Sequence, residues 1–165
     1  MAFETDLRLE ENEDTQHGRF LTFALGEEEF GIEISYVTEI IGMQPISTLP
    51  EIPEHVKGIV NLRGKIIPVI DMRLRFKKPE IDYTDRTCIV IIDTGVFSAG
   101  LIVDSVAEVM SIGDEQIVPP PNYRTGIHNQ YLKGIANVDG HVKLLLDCEK
   151  LFMEEEQQLI AELEG

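Results

Sequence analysis

Basic residues are scarce in this chain. Its 165 residues include 14 Lys and Arg against 30 Asp and Glu, a formal charge of −16. A chain so acidic repels nucleic-acid phosphates and anionic lipid surfaces. It is expected to meet a basic or apolar partner, unless the charge serves solubility alone. Cysteine is nearly missing too. Cys88 and Cys148 each sit beside apolar residues, which suits thiols in or near buried strands better than a disulfide framework. No apolar run approaches the ~20 residues that cross a bilayer. The N-terminus lacks a basic region followed by an apolar one. The expectation is a reduced, cytoplasmic protein.

Motifs that carry chemistry are also lacking. None of His17, His55, His128 and His141 stands at metal-ligand spacing from another or from a cysteine. There is no G-x-S-x-G, no H-E-x-x-H and no Gly-rich phosphate loop. The single glycines at 26, 31, 64, 95, 100 and 140 fit turns and tight strand contacts. Asp71 and Asp147 follow apolar runs and are expected to cap strand ends. No catalytic residue, metal or cofactor is expected.

What is present is a series of short β signals. Residues 1–17 are polar and acidic and read as a disordered tail. From Phe20 the pattern turns apolar, and Phe30, Ile32 and Ile34 alternate with Gly31 and Glu33 at the period of a half-buried strand. V-T-E-I-I follows. Pro45, Pro50 and Pro53 mark a loop, E-H-V-K-G suggests a helical turn, and residues 58–71 supply two more strands. Pro68 cannot donate to a ladder, which suggests an edge strand or a bulge. Leu151, Phe152, Leu159, Ile160 and Leu163 recur at helical spacing, so 149–164 reads as a C-terminal amphipathic helix positioned to cover a barrel.

The second half repeats the first. C-I-V-I-I-D-T-G at 88–95 answers R-F-L-T-F-A-L-G at 19–26, a shift of 69 that also aligns Gly31 with Gly100 and Glu39 with Glu108. G-I-A-N-V-D-G-H-V-K-L-L-L-D at 134–147 answers G-I-V-N-L-R-G-K-I-I-P-V-I-D at 58–71 at a shift of 76. The extra residues belong to the V-P-P-P-N-Y-R-T-G-I-H-N-Q loop. Two matches in the same order argue for an internal duplication with halves at about 18–82 and 83–148. Five short strands per half make a small barrel that hides its own edges. The fold class is therefore mainly β, two five-stranded barrels and a C-terminal helix. Whether the halves exchange strands stays open.

The duplication isolates one odd residue. The second hairpin turns at Asp139-Gly140, among the strongest two-residue turn signals, because both positions tolerate positive φ. The first turns at Arg63-Gly64. Arg is a poorer turn residue, so Arg63 is either a solvated tip or a charged anchor offered to a partner. Val37, Glu39 and Ile40 likewise have counterparts Val106, Glu108 and Val109. Two such strands either pack lobe on lobe or border a groove that accepts an apolar helix.

The runs F-G-I-E-I-S-Y-V-T-E-I, H-V-K-G-I-V-N-L-R-G-K-I-I-P-V-I-D-M-R, G-L-I-V-D-S-V-A-E-V and Y-L-K-G-I-A-N resemble the CheW family of chemotaxis coupling proteins over residues 18–155. The resemblance implies a pair of SH3-like barrels without enzymatic activity. It implies an adaptor that bridges membrane chemoreceptors to the histidine kinase CheA, in the cytoplasm and recruited to membrane receptor arrays. By matching motif, Ile34, Val37, Glu39 and Ile40 line one side of a groove for the receptor's helical hairpin tip. Leu101, Val103 and Val106 line the other. Arg63, with Gly58, Asn61 and Gly64 of the same run, is implicated in coupling to a partner. The kinase contact is expected between its regulatory domain and a barrel. The acidic tail and triple proline depart from the pattern and look peripheral. The length leaves no room for a fused kinase or receiver, which favours a stand-alone coupling protein. Two alternatives remain: coupling in another receptor–kinase pathway such as surface motility, and a hydrolase or small-ligand binder using the interlobe cleft.

Overall fold

The structure, a computed structural model, describes residues 18–120 and 131–151. The expected acidic tail at 1–17, most of the loop after Pro120 and nearly all of the expected C-terminal helix lie outside the described residues.

Among the described residues eleven strands form two sheets. In chain order they are β1 (Arg19–Leu25), β2 (Glu28–Glu33), β3 (Val37–Gly42), β4 (Val56–Leu62), β5 (Lys65–Asp71), β6 (Cys88–Asp93), β7 (Ser98–Val103), β8 (Ser105–Ser111), β9 (Ile117–Val118), β10 (Leu132–Val138) and β11 (His141–Leu146). One α-helical turn, α1 (Met72–Arg75), follows β5. The first sheet runs β8-β1-β2-β11-β10-β9 and the second β3-β6-β7-β5-β4. The duplication makes β6, β7, β8, β10 and β11 the counterparts of β1 to β5. Each sheet therefore takes the first hairpin of one half and the remaining strands of the other. The halves exchange strands, and parallel pairs β2–β11 and β5–β7 join them.

Both sheets curl shut. β3 and β4 are opposite edges of the second sheet, yet Ile41 and Met43 pack with Val60 and Leu62 around one small core. Just beyond β3, Ser47 exchanges two backbone hydrogen bonds of 2.9 Å with Ile59. In the first sheet Met110 and Ile112 pack with Ala136 and Val138 in the same manner. A larger core lies between the barrels, built from matched positions such as Leu21 and Val90, Phe23 and Ile92, Ile34 and Val103. Each of these fully buried side chains contributes about 1.5–3 kcal/mol over an exposed one.

The duplication reaches into hydrogen bonds. Asp71 Oδ1 accepts from the backbone N–H of Arg73 at 2.9 Å, and Asp147 Oδ1 accepts from that of Glu149 at 3.0 Å. Both carboxylates thus end a strand and cap the turn that follows. Gly31 and Gly100 match as well. A Cβ on Gly31 would lie 2.9 Å from Leu145 Cδ2, and one on Gly100 would lie 2.9 Å from Val69 Cγ1.

Two local expectations are corrected. β5 is not an edge strand, since it lies between β4 and β7. Its ladder to β7 begins only at Val69, and Pro68 sits opposite Ile59 in a non-hydrogen-bonded pair of the β4–β5 hairpin. Neither neighbour asks it for a proton. E-H-V-K-G forms a turn at its start and then enters β4, rather than a helical turn.

Candidate functional site

The β4–β5 hairpin turns at Arg63 and Gly64 with φ of 53° and 87°, and β10–β11 turns at Asp139 and Gly140 with φ of 52° and 80°. The two turns share one geometry, which costs Arg63 the strain a non-glycine residue meets at positive φ. Asn61 Oδ1 accepts from the Gly64 N–H at 2.9 Å, as Asn137 Oδ1 does from Gly140 at 3.1 Å. Asn61 and Gly64 therefore build the turn. Gly58 is buried and has φ of 148°, and a Cβ there would fall 2.1 Å from the carbonyl oxygen of Ser47. The position is glycine because the chain after β3 passes against it.

Arg63 does not simply point into solvent. Its guanidinium forms an ion pair with Glu39 on β3, while its side chain stays 70% exposed. The pair spans the end of the second barrel. Below it lies an open depression of about 340 Å³ lined by Leu62, Ile67 and Ile91 and by the polar Lys65, Asp93 and Ser98, the last of them buried. The sequence reading missed Lys65, Asp93 and Ser98, which gather only when the barrel closes.

Glu39 thus belongs to the barrel mouth rather than to the face of Val37 and Ile40. The reason is a bulge. Val37 pairs with Ile92 and Glu39 with Ile91, so one residue is extra and the alternation changes phase. Val37 and Ile40 pack against the central core, whereas Ile41 packs into the second barrel. β8 repeats this. Its register to β1 slips between Val106 and Val109, Thr22 Oγ1 donates to the Glu108 carbonyl at 2.9 Å, and Val106 and Val109 pack on the central core. Val37, Ile40, Val106 and Val109 are each half-buried, so two equivalent strands border the seam between barrels with apolar side chains. Ile34, Leu101 and Val103 are under 10% exposed. They lie in the core beneath these strands, and on β7 the alternation turns Leu101 and Val103 toward the central core.

Two contacts fix where the seam strands begin. Asp104, just before β8, accepts from Arg73 Nε at 2.8 Å, from Arg73 Nη2 at 2.7 Å and from the Gly26 N–H at 2.7 Å. Burial pushes its carboxyl up, but the Arg73 and Gly26 bonds outweigh this and hold it below the usual carboxylate range. Tyr36, just before β3, donates to Glu149 Oε2 at 2.8 Å. Burial, then the Glu149 bond, pushes its phenol up to about 12. Both thiols are free. Burial raises the Cys88 pKa and lifts that of Cys148 to about 12, so neither is an activated nucleophile. Among the described residues no group of three or more His, Cys, Asp or Glu is placed to hold a metal, and no helix is long and apolar enough to cross a membrane.

The chain is thus a duplicated pair of strand-exchanged barrels with an apolar seam and a charged turn at one end. Comparison with known proteins identifies its family. The CheW-like domain family matches residues 19–156. The chain is 36% identical to the chemotaxis protein CheW of Klebsiella aerogenes over 147 residues, 89% of each chain. It is 35% identical to that of Treponema pallidum over 149 residues, 88% of each. The crystal structure of the scaffolding protein TtCheW from Thermoanaerobacter tengcongensis superposes with a TM-score of 0.79 at 36% identity, covering 87% of this chain and 98% of that one. The chain belongs to the CheW family and is a chemotaxis adaptor of the scaffold type.

Proposed function

We propose that this adaptor works without catalysis, joining the cytoplasmic hairpin tip of a membrane chemoreceptor to the regulatory domain of a CheA-type histidine kinase. The observation that carries this reading is the pair of seam strands. β3 and β8 are equivalent by duplication, bulged at the same point, and present Val37, Ile40, Val106 and Val109 half-buried along the junction. An apolar strip between two rigid barrels suits the apolar face of a helix, whose residues at i, i+3 and i+4 match such a row. A strongly acidic adaptor also favours a partner with basic flanks. In this reading the adaptor reaches the array through the receptor rather than by inserting into the membrane.

Arg63 is the second contact. Its side chain is exposed at the tip of the second barrel, held by Glu39 and flanked by Lys65. Its planar head has donors to spare beyond one carboxylate.

Val37→Asp tests the groove. It places a charge among half-buried apolar side chains, which costs binding to a receptor signalling fragment more than binding to the kinase regulatory domain. Equal losses for both partners in a folded variant would return β3 to lobe packing.

A further inference from the structure

The chain passes between sheets at two equivalent places, and they are fastened unequally. Residues 34–36 lead from β2 in the first sheet to β3 in the second. Asp104 leads from β7 in the second sheet to β8 in the first. Asp104 is tied by a two-pronged charged bond from Arg73 and by the Gly26 backbone, and Arg73 Nη1 also donates to the Pro79 carbonyl at 3.0 Å. Ion and backbone thus bind four segments into one knot. Both charged side chains are largely covered, at 14% and 21% exposure, and charge-assisted paired bonds are among the strongest a protein makes.

At the other crossing the ties lie nearer solvent: Tyr36 donates to Glu149, and Glu33 at the end of β2 pairs with Lys133 of β10, the two side chains 27% and 47% exposed. The stretch that carries Glu149 is itself anchored. Asp147 Oδ1 accepts from the Glu149 N–H at 3.0 Å, and the Leu151 carbonyl accepts from Arg75 Nε at 2.9 Å. Leu151 is 1% exposed. The hydroxyl of Tyr36 therefore joins the start of β3 to a fixed stretch just beyond β11. With its phenol raised to about 12, Tyr36 keeps its proton throughout the neutral range.

We propose that these crossings are a fixed hinge at Asp104 and a yielding hinge at Tyr36, and that Tyr36 and Glu149 are positioning residues that set the pose of β3. β8 is held and β3 gives. A partner that pulls on residues 147–151 changes how Val37 and Ile40 are presented, and a helix seated on β3 is felt at Glu149. The consequence for partner binding rests on the groove reading above; the inequality of the hinges does not.

The test uses the full chain and three variants: Tyr36→Phe, Glu149→Ala and their combination. Amide hydrogen exchange is followed in β3 and β8 of the free protein. Each single variant is expected to speed exchange across Val37–Gly42 by about threefold to tenfold, the worth of one hydrogen bond. The combination adds little, and Ser105–Ser111 exchanges as in the parent. Unchanged β3 exchange in both singles, or equal acceleration of β3 and β8, would overturn the proposal. Titration with a receptor signalling fragment then separates the two readings. Faster β3 exchange with a shifted affinity supports both. Faster exchange with unchanged affinity leaves the hinge standing and sinks the groove.

Discussion

The ends of the two barrels share a frame and carry different charges. In the second barrel Arg63 at the hairpin tip meets Glu39, and the positions behind it are Ile67 and Ser98. In the first barrel the equivalents are Asp139, Glu108, Lys143 and Glu29. Asp139 and Glu108 are both acidic and exposed. Lys143 is buried and bonds Glu29 at 2.7 Å. One barrel wears its cation outside, where a partner can reach it; the other holds it inside, where it closes the barrel. Duplication supplied two matching frames, and they differ in where the cation sits.

Ile67→Lys breaks this contrast most sharply. It replaces a buried core side chain of the second barrel with the first barrel's lysine, without the glutamate that accompanies it there, and losing such a core side chain costs about 2–5 kcal/mol. Adding Ser98→Glu supplies that partner and recovers part of the loss. Urea denaturation of both variants reads the effect.

Glycine gives a second contrast. Gly58→Ala should cost about 3 kcal/mol or more, since its Cβ would collide with backbone at 2.1 Å where φ is 148°. Its equivalent Gly134 lacks the positive φ, and its nearest obstruction is the Ile117 Cγ2 methyl at 2.6 Å. Gly134→Ala should cost about 1–2 kcal/mol, because a side chain can yield. Thermal melts of the pair rank them.

The two crossings should fail at opposite ends of the pH scale. Asp104 has a folded pKa below its ordinary 3.8, so its stabilisation is present above that value and lost as pH falls through the lower one. Tyr36 is raised from 10.0 to about 12, so its stabilisation is present below pH 10 and lost as pH climbs toward 12. Asp104→Asn should flatten the acid limb of a stability profile, and Tyr36→Phe the alkaline limb.

Arg63→Asp has the smallest effect on folding. It copies the Asp139-Gly140 turn, and an exposed ion pair is worth about 0–1 kcal/mol. The melting curve should barely move while assembly of receptor, adaptor and kinase weakens.

Much of this was legible in the sequence wherever the signal was local. Strand periodicity, the paired hairpin turns, the capping pair Asp71 and Asp147, and the oddity of Arg63 all follow from spacing and residue type. What stayed hidden depends on register. The motif match placed Glu39 beside Val37 and Ile40, and only the bulge at Thr38 shows it turned toward Arg63. Pro68 argued for an edge or a bulge; the strand is interior, a bulge lies next to it between Val56 and Gly58, and the late start of the β5–β7 ladder shows why the strand accepts it. Strand exchange was undecidable, because β2 pairs with β11 across more than a hundred residues. The Lys143–Glu29 and Arg73–Asp104 pairs were lost among 30 carboxylates.

The most direct test of the central claim is titration calorimetry of the parent chain and of Arg63→Asp against the regulatory domain of the cognate CheA-type kinase, with and without a receptor signalling fragment. The account predicts saturable one-to-one kinase binding by the parent, and weakened ternary assembly by a variant that melts like it. No kinase binding by the folded parent, or full assembly by Arg63→Asp, would contradict it.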